Sequence, residues 1–581
     1  MVISRLEAIG KLTAPGEPLE ISVEMVRGVP TRVFRHAPPT VSALAKRATE
    51  LFSEQVFLVY EGERRTFRQV DEMAGRLAKG LQDLAGVRPG DRVAIAMRNY
   101  PEWVVAFLAA MKLGAVAVAM NAWWTPRELA AALADAAPKV IFADSERLER
   151  LPSERDMGGL VAVAVRTKGP LRADVIEYDS LLVSAPTTPF PEVSPDDDAL
   201  IIYTSGSTAA PKGAVSTHRN MIQALFSWRL DATVDAFAAG RPLPDEVHDP
   251  QPTLLLPVPL FHVSGSHVGL LTSLISGRKL VLMYKWDAEV ALDLIARENV
   301  THVTGPSAVT GDLVLAAERS GRRLGSVVSV GGGGAPRPPE QVRAISRVIP
   351  SAEANIGWGM TETNAIGTGH SGASYQEYPT SSGFPSAILD FRVITEEGVE
   401  AGPDEPGELQ VRGASVIGRY WRKPVETAAS FQDGWFRTGD LALFDAAGRL
   451  YILGRLKDMV LRGGENISCP QVEAELAEHP SLAEVAVFGV PHERLGEELA
   501  AVVCTRPGAH VTEAELRRFL SDRLAAFQVP YAIKVVAEPL PRTASGKIAK
   551  RLIQDAWMEA GTSPESRAVS KAEPDEARER A

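Results

Sequence analysis

YTSGSTAAPKGAVSTH, residues 203–218, decides how this chain is read. It crowds hydroxyl side chains, two glycines and one lysine between two apolar runs. DALIIY before it predicts a buried strand, and RNMIQALFSW after it predicts a helix. A loop of this composition predicts phosphate binding. The hydroxyls of Thr204, Ser205, Ser207 and Thr208, backbone N–H groups at Gly206 and Gly213, and the Lys212 ammonium would together surround a polyphosphate. Taken alone, the same residues also suit a solvated Ser/Gly turn. The loop is not a Walker A motif: five residues separate Gly206 from Lys212, and glycine follows the lysine.

Outward from this loop, residues 42–350 alternate helical patterns with short apolar runs: RVAIAM at 92–97, KVIFAD at 139–144, TLLLPVP at 253–259 and KLVLM at 279–283. That alternation predicts parallel sheets covered by helices. Between 387 and 455 the texture shifts to ILDFRVITEEG, GELQVRG and GRLYILG, which predicts a small β subdomain. EVAVFGV, LAAVVCT, EAELRRFLSDRLA and AIKVVAE then predict another α/β unit. The stretches 238–252 and 367–383 carry the Pro/Gly/Ser density of exposed connections. The end, SPESRAVSKAEPDEARERA, has one Val and no larger apolar residue, and predicts a disordered tail.

With 581 residues the chain exceeds one ordinary core, so two or more domains are expected. A net charge of -11 argues against nonspecific nucleic-acid binding. Cys469 and Cys504 are the two cysteines and have no metal-ligand spacing, which points away from a disulfide framework and towards a reducing compartment. WVVAFLAAMKLGAVAVAM at 103–120 is broken by Lys112 and Gly114; it predicts a buried helix, a turn and a strand rather than a membrane span. A soluble, cytoplasmic protein without an integral membrane segment is expected, and a homodimer is compatible with these features.

GWGMTET at 357–363, GWFRTGD at 434–440, GRLKDMVLRGGENIS at 454–468 and PRTASGKIAKR at 541–551 follow the first loop in order. With these five segments the chain resembles the acyl-adenylate-forming superfamily over roughly residues 40–555, in the branch of acyl-CoA synthetases and fatty-acid–CoA ligases. The resemblance implies an α/β fold in which a large N-terminal domain, 1–456, holds the ATP and acyl pocket. That domain has two parallel-sheet subdomains and a small β-barrel-like one. A hinge joins it to a small, mobile α+β domain at 457–560, with the tail at 561–581.

The resemblance also implies roles. Residues Thr204 to Lys212 would hold the β- and γ-phosphates, Thr361 would contact the α-phosphate, and Glu362 would ligate Mg2+ through a hard carboxylate oxygen. In isolation Glu362 would read as a helix N-terminal carboxylate. Trp358 stands where relatives place Tyr or Phe against adenine, beside Gly359; an indole also stacks on a purine. Gly333, Gly334 and Ala335 within GGGGAP would line the acyl and adenine pocket, where glycine permits close backbone approach. As a dinucleotide fingerprint this segment is weak, because Pro336 replaces the third glycine. Asp440 would bind the ribose hydroxyls and Arg455 would be a second ribose or phosphate contact, although either alone would read as a surface charge. Lys457 occupies the hinge, Gly463 and Gly464 border the CoA tunnel, and Lys547 is the lysine brought to the carboxylate and α-phosphate. By itself SGK reads as a solvated turn. His262, in PLFHVSG, would sit between acyl pocket and thiol tunnel, against the plain alternative of a packed core histidine.

These residues imply a carboxylic acid–CoA ligase. Acid and ATP give an acyl-adenylate and pyrophosphate, and the CoA thiol then displaces AMP, with Mg2+ as cofactor. FHVSG, THVTGPSAV at 301–309 and GWGMTETN suggest a fatty, other apolar or aromatic acid. Three rivals remain at this level. A stand-alone enzyme that loads a carrier protein would favour Asp where His262 stands. A non-catalytic acyl-adenylate binder would be expected to lose Lys547 or Glu362. A luciferase-like oxygenase shares every motif.

Overall fold

A computed structural model describes residues 4–152, 158–182, 189–204, 212–238, 240, 250–456, 459–462, 465–492, 494–543 and 546–561. The chain divides into two compact units. One comprises Met1–Thr438 with Leu443–Tyr451, the other Gly439–Ala442 with Ile452–Ala581.

The predicted apolar runs become strands because each is bounded by a turn former and is wide enough to be covered on both faces. RVAIAM yields Arg92–Ala96, KVIFAD yields Val140–Asp144, TLLLPVP yields Thr253–Leu256 and KLVLM yields Lys279–Leu282. The apolar stretch at 103–120 resolves as expected. Pro101–Leu113 is a helix that Gly114 ends at φ 65°, and Val116–Ala119 is a strand. A non-glycine residue would be strained in that left-handed C-cap.

The first sheet has seven strands, with Lys212–Thr217 at one edge, then Asp198–Thr204, Val116–Ala119, Arg92–Ala96, Val140–Asp144, Val161–Val165 and Val175–Glu177. Its strands pair in parallel, apart from the antiparallel edge pair of Asp198–Thr204 with Lys212–Thr217. The second sheet has nine strands, and its central run from Glu353–Gly357 through Ser329–Gly333, His302–Gly305, Thr253–Leu256 and Lys279–Leu282 to Val56–Tyr60 is parallel. Leu255, Val281, Val303 and Val330 carry its core against Leu292, Ile295, Leu313 and Ile345 of covering helices. A small antiparallel sheet follows, with Leu389–Ile394 paired to Gly407–Gly413.

In the second unit Leu482–His492 and Gly496–Thr505 form a long antiparallel pair, beside which Ala532–Val536 runs parallel to Gly496–Thr505. The helix Glu513–Ser521 starts in a capping box of Thr512 and Glu515 and buries Leu516 and Leu520.

Two expectations are corrected. Residues 367–383 are not an exposed connection: Thr368–Ser371 is a strand and Gly372–Glu377 a helix, and Thr368, His370, Tyr375 and Ser381 are buried. Small residues here serve close packing, since a Cβ on Gly367 would lie 2.4 Å from the Trp358 ring and one on Gly383 2.0 Å from the Gly369 carbonyl. The segment after Lys212 is also not loop leading straight into helix. Lys212–Thr217 is a strand, and the helix His218–Ala238 begins only after it. Of the two stretches read as exposed, 238–252 falls mostly outside the described residues, as does the tail at 562–581. Among the described residues no helix is long and apolar enough to cross a membrane.

Candidate active site

The seven- and nine-stranded sheets of the first unit deliver their candidate residues at strand ends, where parallel α/β sheets bind ligands. Thr204 closes the strand Asp198–Thr204 and faces Lys212 in register, its Oγ1 donating to the Lys212 carbonyl at 3.3 Å. The candidate phosphate segment therefore joins two antiparallel neighbours in one sheet; Ser205, Gly206, Ser207 and Thr208 lie outside the described residues. In the second sheet Gly333 pairs with Gly357, so the GGGGAP and GWGMTET segments leave adjacent strands side by side. The glycines themselves finish the strand Ser329–Gly333, and Gly334 turns the chain at φ 73° before Ala335. Trp358 is buried, edge to face with Phe391 at 5.9 Å.

Thr361–Thr363 forms a single 3-10 turn. Thr363 Oγ1 accepts from the Met360 N–H at 3.0 Å, and Asn364 and Ala365 both adopt positive φ, 55° and 63°. Asn tolerates that region and Ala is strained in it. Gly359 makes room for this turn, since a Cβ there would stand 2.3 Å from the Ala365 carbonyl oxygen. The turn presents Glu362, buried, to the Tyr420 hydroxyl, which donates to Oε1 at 2.8 Å. Lys212 Nζ lies 5.3 Å from the centroid of the same Tyr420 ring.

The segment 414–421 binds these parts together. Ile417 N–H donates to the Glu362 carbonyl at 2.8 Å and Trp421 N–H to the Gly213 carbonyl at 2.7 Å. Asn364 Nδ2 donates to the Ser415 carbonyl at 2.8 Å, and Asn220 Nδ2 to the Ala414 carbonyl at 2.7 Å.

His262 opens a turn that continues into a π-helix, Ser264–Leu271, a rare form that often marks functional segments. Its ring packs on Phe261 at 4.9 Å. One turn further on, His267 is fully buried, and burial pushes its pKa down to about 4, leaving the ring neutral. His267 Nε2 is 2.9 Å from Asn364 Oδ1, and Nδ1 is 3.0 Å from Ser266 Oγ. The amide oxygen is acceptor-only, so the neutral ring carries its proton on Nε2.

The second unit holds three of the predicted residues. Arg455 Nε donates to Asp440 Oδ1 at 2.7 Å, with Asp440 buried and Arg455 partly in solvent. Lys547 is exposed. Its ammonium is nevertheless held below the usual lysine range, first by desolvation, then by Arg455, with Asp440 opposing. The loop that carries it is closed by backbone bonds from Thr543 to the Lys547 carbonyl, 2.7 Å, and from Ala549 to the Pro541 carbonyl, 2.7 Å. Glu484 anchors it from the strand Leu482–His492: Oε2 accepts from the Leu540 N–H at 2.6 Å, and Oε1 pairs with Arg542. Lys457, Gly463 and Gly464 lie outside the described residues.

Sequence reading missed Tyr420, Asn364, His267 and Glu484. RYW at 419–421 carried a signal, two adjacent aromatics after a glycine; Glu484 carried none.

Residues 45–421 match the family model of the AMP-binding enzyme, and residues 471–547 match that of the AMP-binding enzyme C-terminal domain. A feruloyl-CoA synthase of Amycolatopsis sp is 34% identical over 491 residues, covering 84% of this chain and 93% of its own length. The long-chain-fatty-acid–CoA ligase FadD13 of Mycobacterium tuberculosis is 31% identical over 501 residues, covering 85% and 93%. Among solved structures, the anthranilate CoA ligase AuaEII in complex with anthranoyl-AMP aligns with a TM-score of 0.81 at 26% identity, covering 90% of this chain and 98% of that one. The chain belongs to the AMP-binding enzyme family. It is an AMP-forming acid–thiol ligase, an ATP-dependent acyl-CoA synthetase.

Proposed function

We propose that the chain couples a carboxylic acid with an apolar tail, fatty or aromatic, to CoA through an acyl-adenylate. The observation that carries this reading is the buried Asp440 carboxylate held by Arg455 at 2.7 Å, with the pKa of the Lys547 ammonium lowered by desolvation and by the Arg455 charge. A ribose-binding carboxylate, its guanidinium partner and a partly desolvated ammonium are what an adenylate-forming step requires. Attack by one anion on another needs fixed positive charge more than it needs proton transfer. Thr204 and Lys212 would take the triphosphate, Thr361 the α-phosphate, Trp358 the adenine and Lys547 the reacting carboxylate.

Mg2+ fits Glu362. Among the described residues no group of three or more His, Cys, Asp or Glu could hold a metal; the buried Glu362 carboxylate would be one protein ligand. Such a site suits a cation that keeps phosphates and waters as its other ligands. When bound, Mg2+ would neutralise phosphate charge. Gly463 and Gly464 would border the CoA path, and Lys457 would be the hinge between 1–456 and 457–560.

The neutral His267, satisfied by Asn364 and Ser266, brings no charge to the FHVSG segment, which supports an apolar acyl tail. The names of the relatives, feruloyl and long-chain fatty acid, agree with that class. Pyrophosphate release measured across fatty and aromatic acids, with and without CoA, tests the proposal. Apolar acids should release pyrophosphate and, with CoA, give a thioester. Release without thioester, together with loading of a carrier protein, would replace it with the carrier-loading reading.

A further inference from the structure

Tyr420 stands outside every motif that the sequence singles out, yet the triphosphate strand and the metal-ligand turn both converge on it. Its hydroxyl holds Glu362 Oε1 at 2.8 Å, and its ring carries the Lys212 ammonium at 5.3 Å. The ring is buried among Ala214, Ile417 and Phe431, so it has one orientation to offer. Its backbone is fixed as well, by the Tyr420 N–H donating to Thr427 Oγ1 at 3.1 Å.

We propose that Tyr420 is a positioning residue for adenylation, whose hydroxyl aims the Glu362 carboxylate at the metal accompanying ATP while its ring confines the Lys212 ammonium beside the triphosphate. The proposal rests on the roles given above to Glu362 and Lys212. A hydroxyl bonded to Oε1 fixes the carboxylate plane, and with it the direction in which Glu362 presents an oxygen to a cation. Lysine has a flexible four-carbon stem, and the negative face of an aromatic ring restricts where its charge can rest. One side chain thus sets the spacing between two groups that must act on the same triphosphate.

The two contacts separate by substitution. Tyr420→Phe removes the hydroxyl and keeps the ring, whereas Tyr420→Leu removes both. Mn2+ binding to the enzyme with a non-hydrolysable ATP analogue, followed by electron paramagnetic resonance, should weaken about tenfold in Tyr420→Phe. Acid-dependent pyrophosphate exchange in that variant should fall at low Mg2+ and recover at high Mg2+. Tyr420→Leu should also raise the KM for ATP, without rescue by metal. Thioester formation from supplied acyl-adenylate and CoA, which uses neither triphosphate nor its metal, should stay near wild type in both. Equal losses in both half-reactions would reduce Tyr420 to a packing residue and overturn the proposal. Glu362→Gln separates the remaining failures. If it loses Mn2+ affinity while Tyr420→Phe keeps it, only the role of Tyr420 is overturned. If Glu362→Gln keeps it too, the assignment of Glu362 fails and the proposal with it.

Discussion

At the scale of single residues, Lys547 shows how environment refines a role suggested by sequence. Desolvation and Arg455 lower its affinity for a proton, and Asp440 opposes them while already engaged by Arg455. The ammonium is therefore not tightly neutralised, which suits a group that stabilises charge developing on a substrate. Lys547→Ala should lower adenylate formation by about 100-fold or more, the scale of losing one preorganised electrostatic donor. Reaction of supplied acyl-adenylate with CoA should be largely unaffected. Stopped-flow measurement of each half-reaction checks this, and equal loss in both would remove Lys547 from the adenylation step. A lysine in an SGK turn was readable as a candidate; its neighbours Asp440 and Arg455 were readable only as separate motifs. No periodicity announces that a strand residue and a residue near the chain end share one electrostatic environment.

At the scale of elements, the loop carrying Lys547 depends on a strand outside its own motif. Glu484 accepts from the Leu540 N–H and pairs with Arg542, clamping the entrance of PRTASGK. Replacing a carboxylate that holds two donors by a neutral amide costs about 1–3 kcal/mol of local order. Glu484→Gln should therefore reduce adenylate formation roughly tenfold, an effect carried by the loop, while CoA transfer from supplied acyl-adenylate changes little. Loss of both steps together, with a lowered Tm, would instead mark Glu484 as a fold residue. The strands and helices themselves were legible because apolar period and turn residues are local properties. The burial of 367–383 was not, since its glycines and serines look like loop and serve instead to let Trp358 and the neighbouring strand approach.

Across the whole molecule, two of the buried histidines, His218 and His267, contribute to an acid limit on stability. His218 accepts from the Val41 N–H through Nδ1 at 3.3 Å, and burial lowers both His218 and His267 from the ordinary 6.5 to about 4. Both folded values are depressed, so between about pH 4 and 6.5 the unfolded chain binds more protons than the folded one. Stability is then fully present above pH 6.5 and falls as the pH drops towards 4, by about 3 kcal/mol for each histidine. Thermal unfolding should show Tm falling between pH 7 and 5. His218→Gln and His267→Gln should each flatten that fall, and an unchanged slope in both variants would show that other groups govern it.

What the sequence determined alone was the alternation of apolar runs that builds two parallel sheets, and five motifs whose order identifies the family. Each depends on neighbours along the chain, so each can be read without coordinates. Tertiary structure decided the rest: that Lys212–Thr217 pairs antiparallel with Asp198–Thr204, that 414–421 ties this pair to the TET turn, and that Tyr420 faces both Lys212 and Glu362. These contacts join residues far apart in sequence whose types are common in any protein. Their meaning comes from which side chains the packed sheets leave within hydrogen-bonding reach of one another.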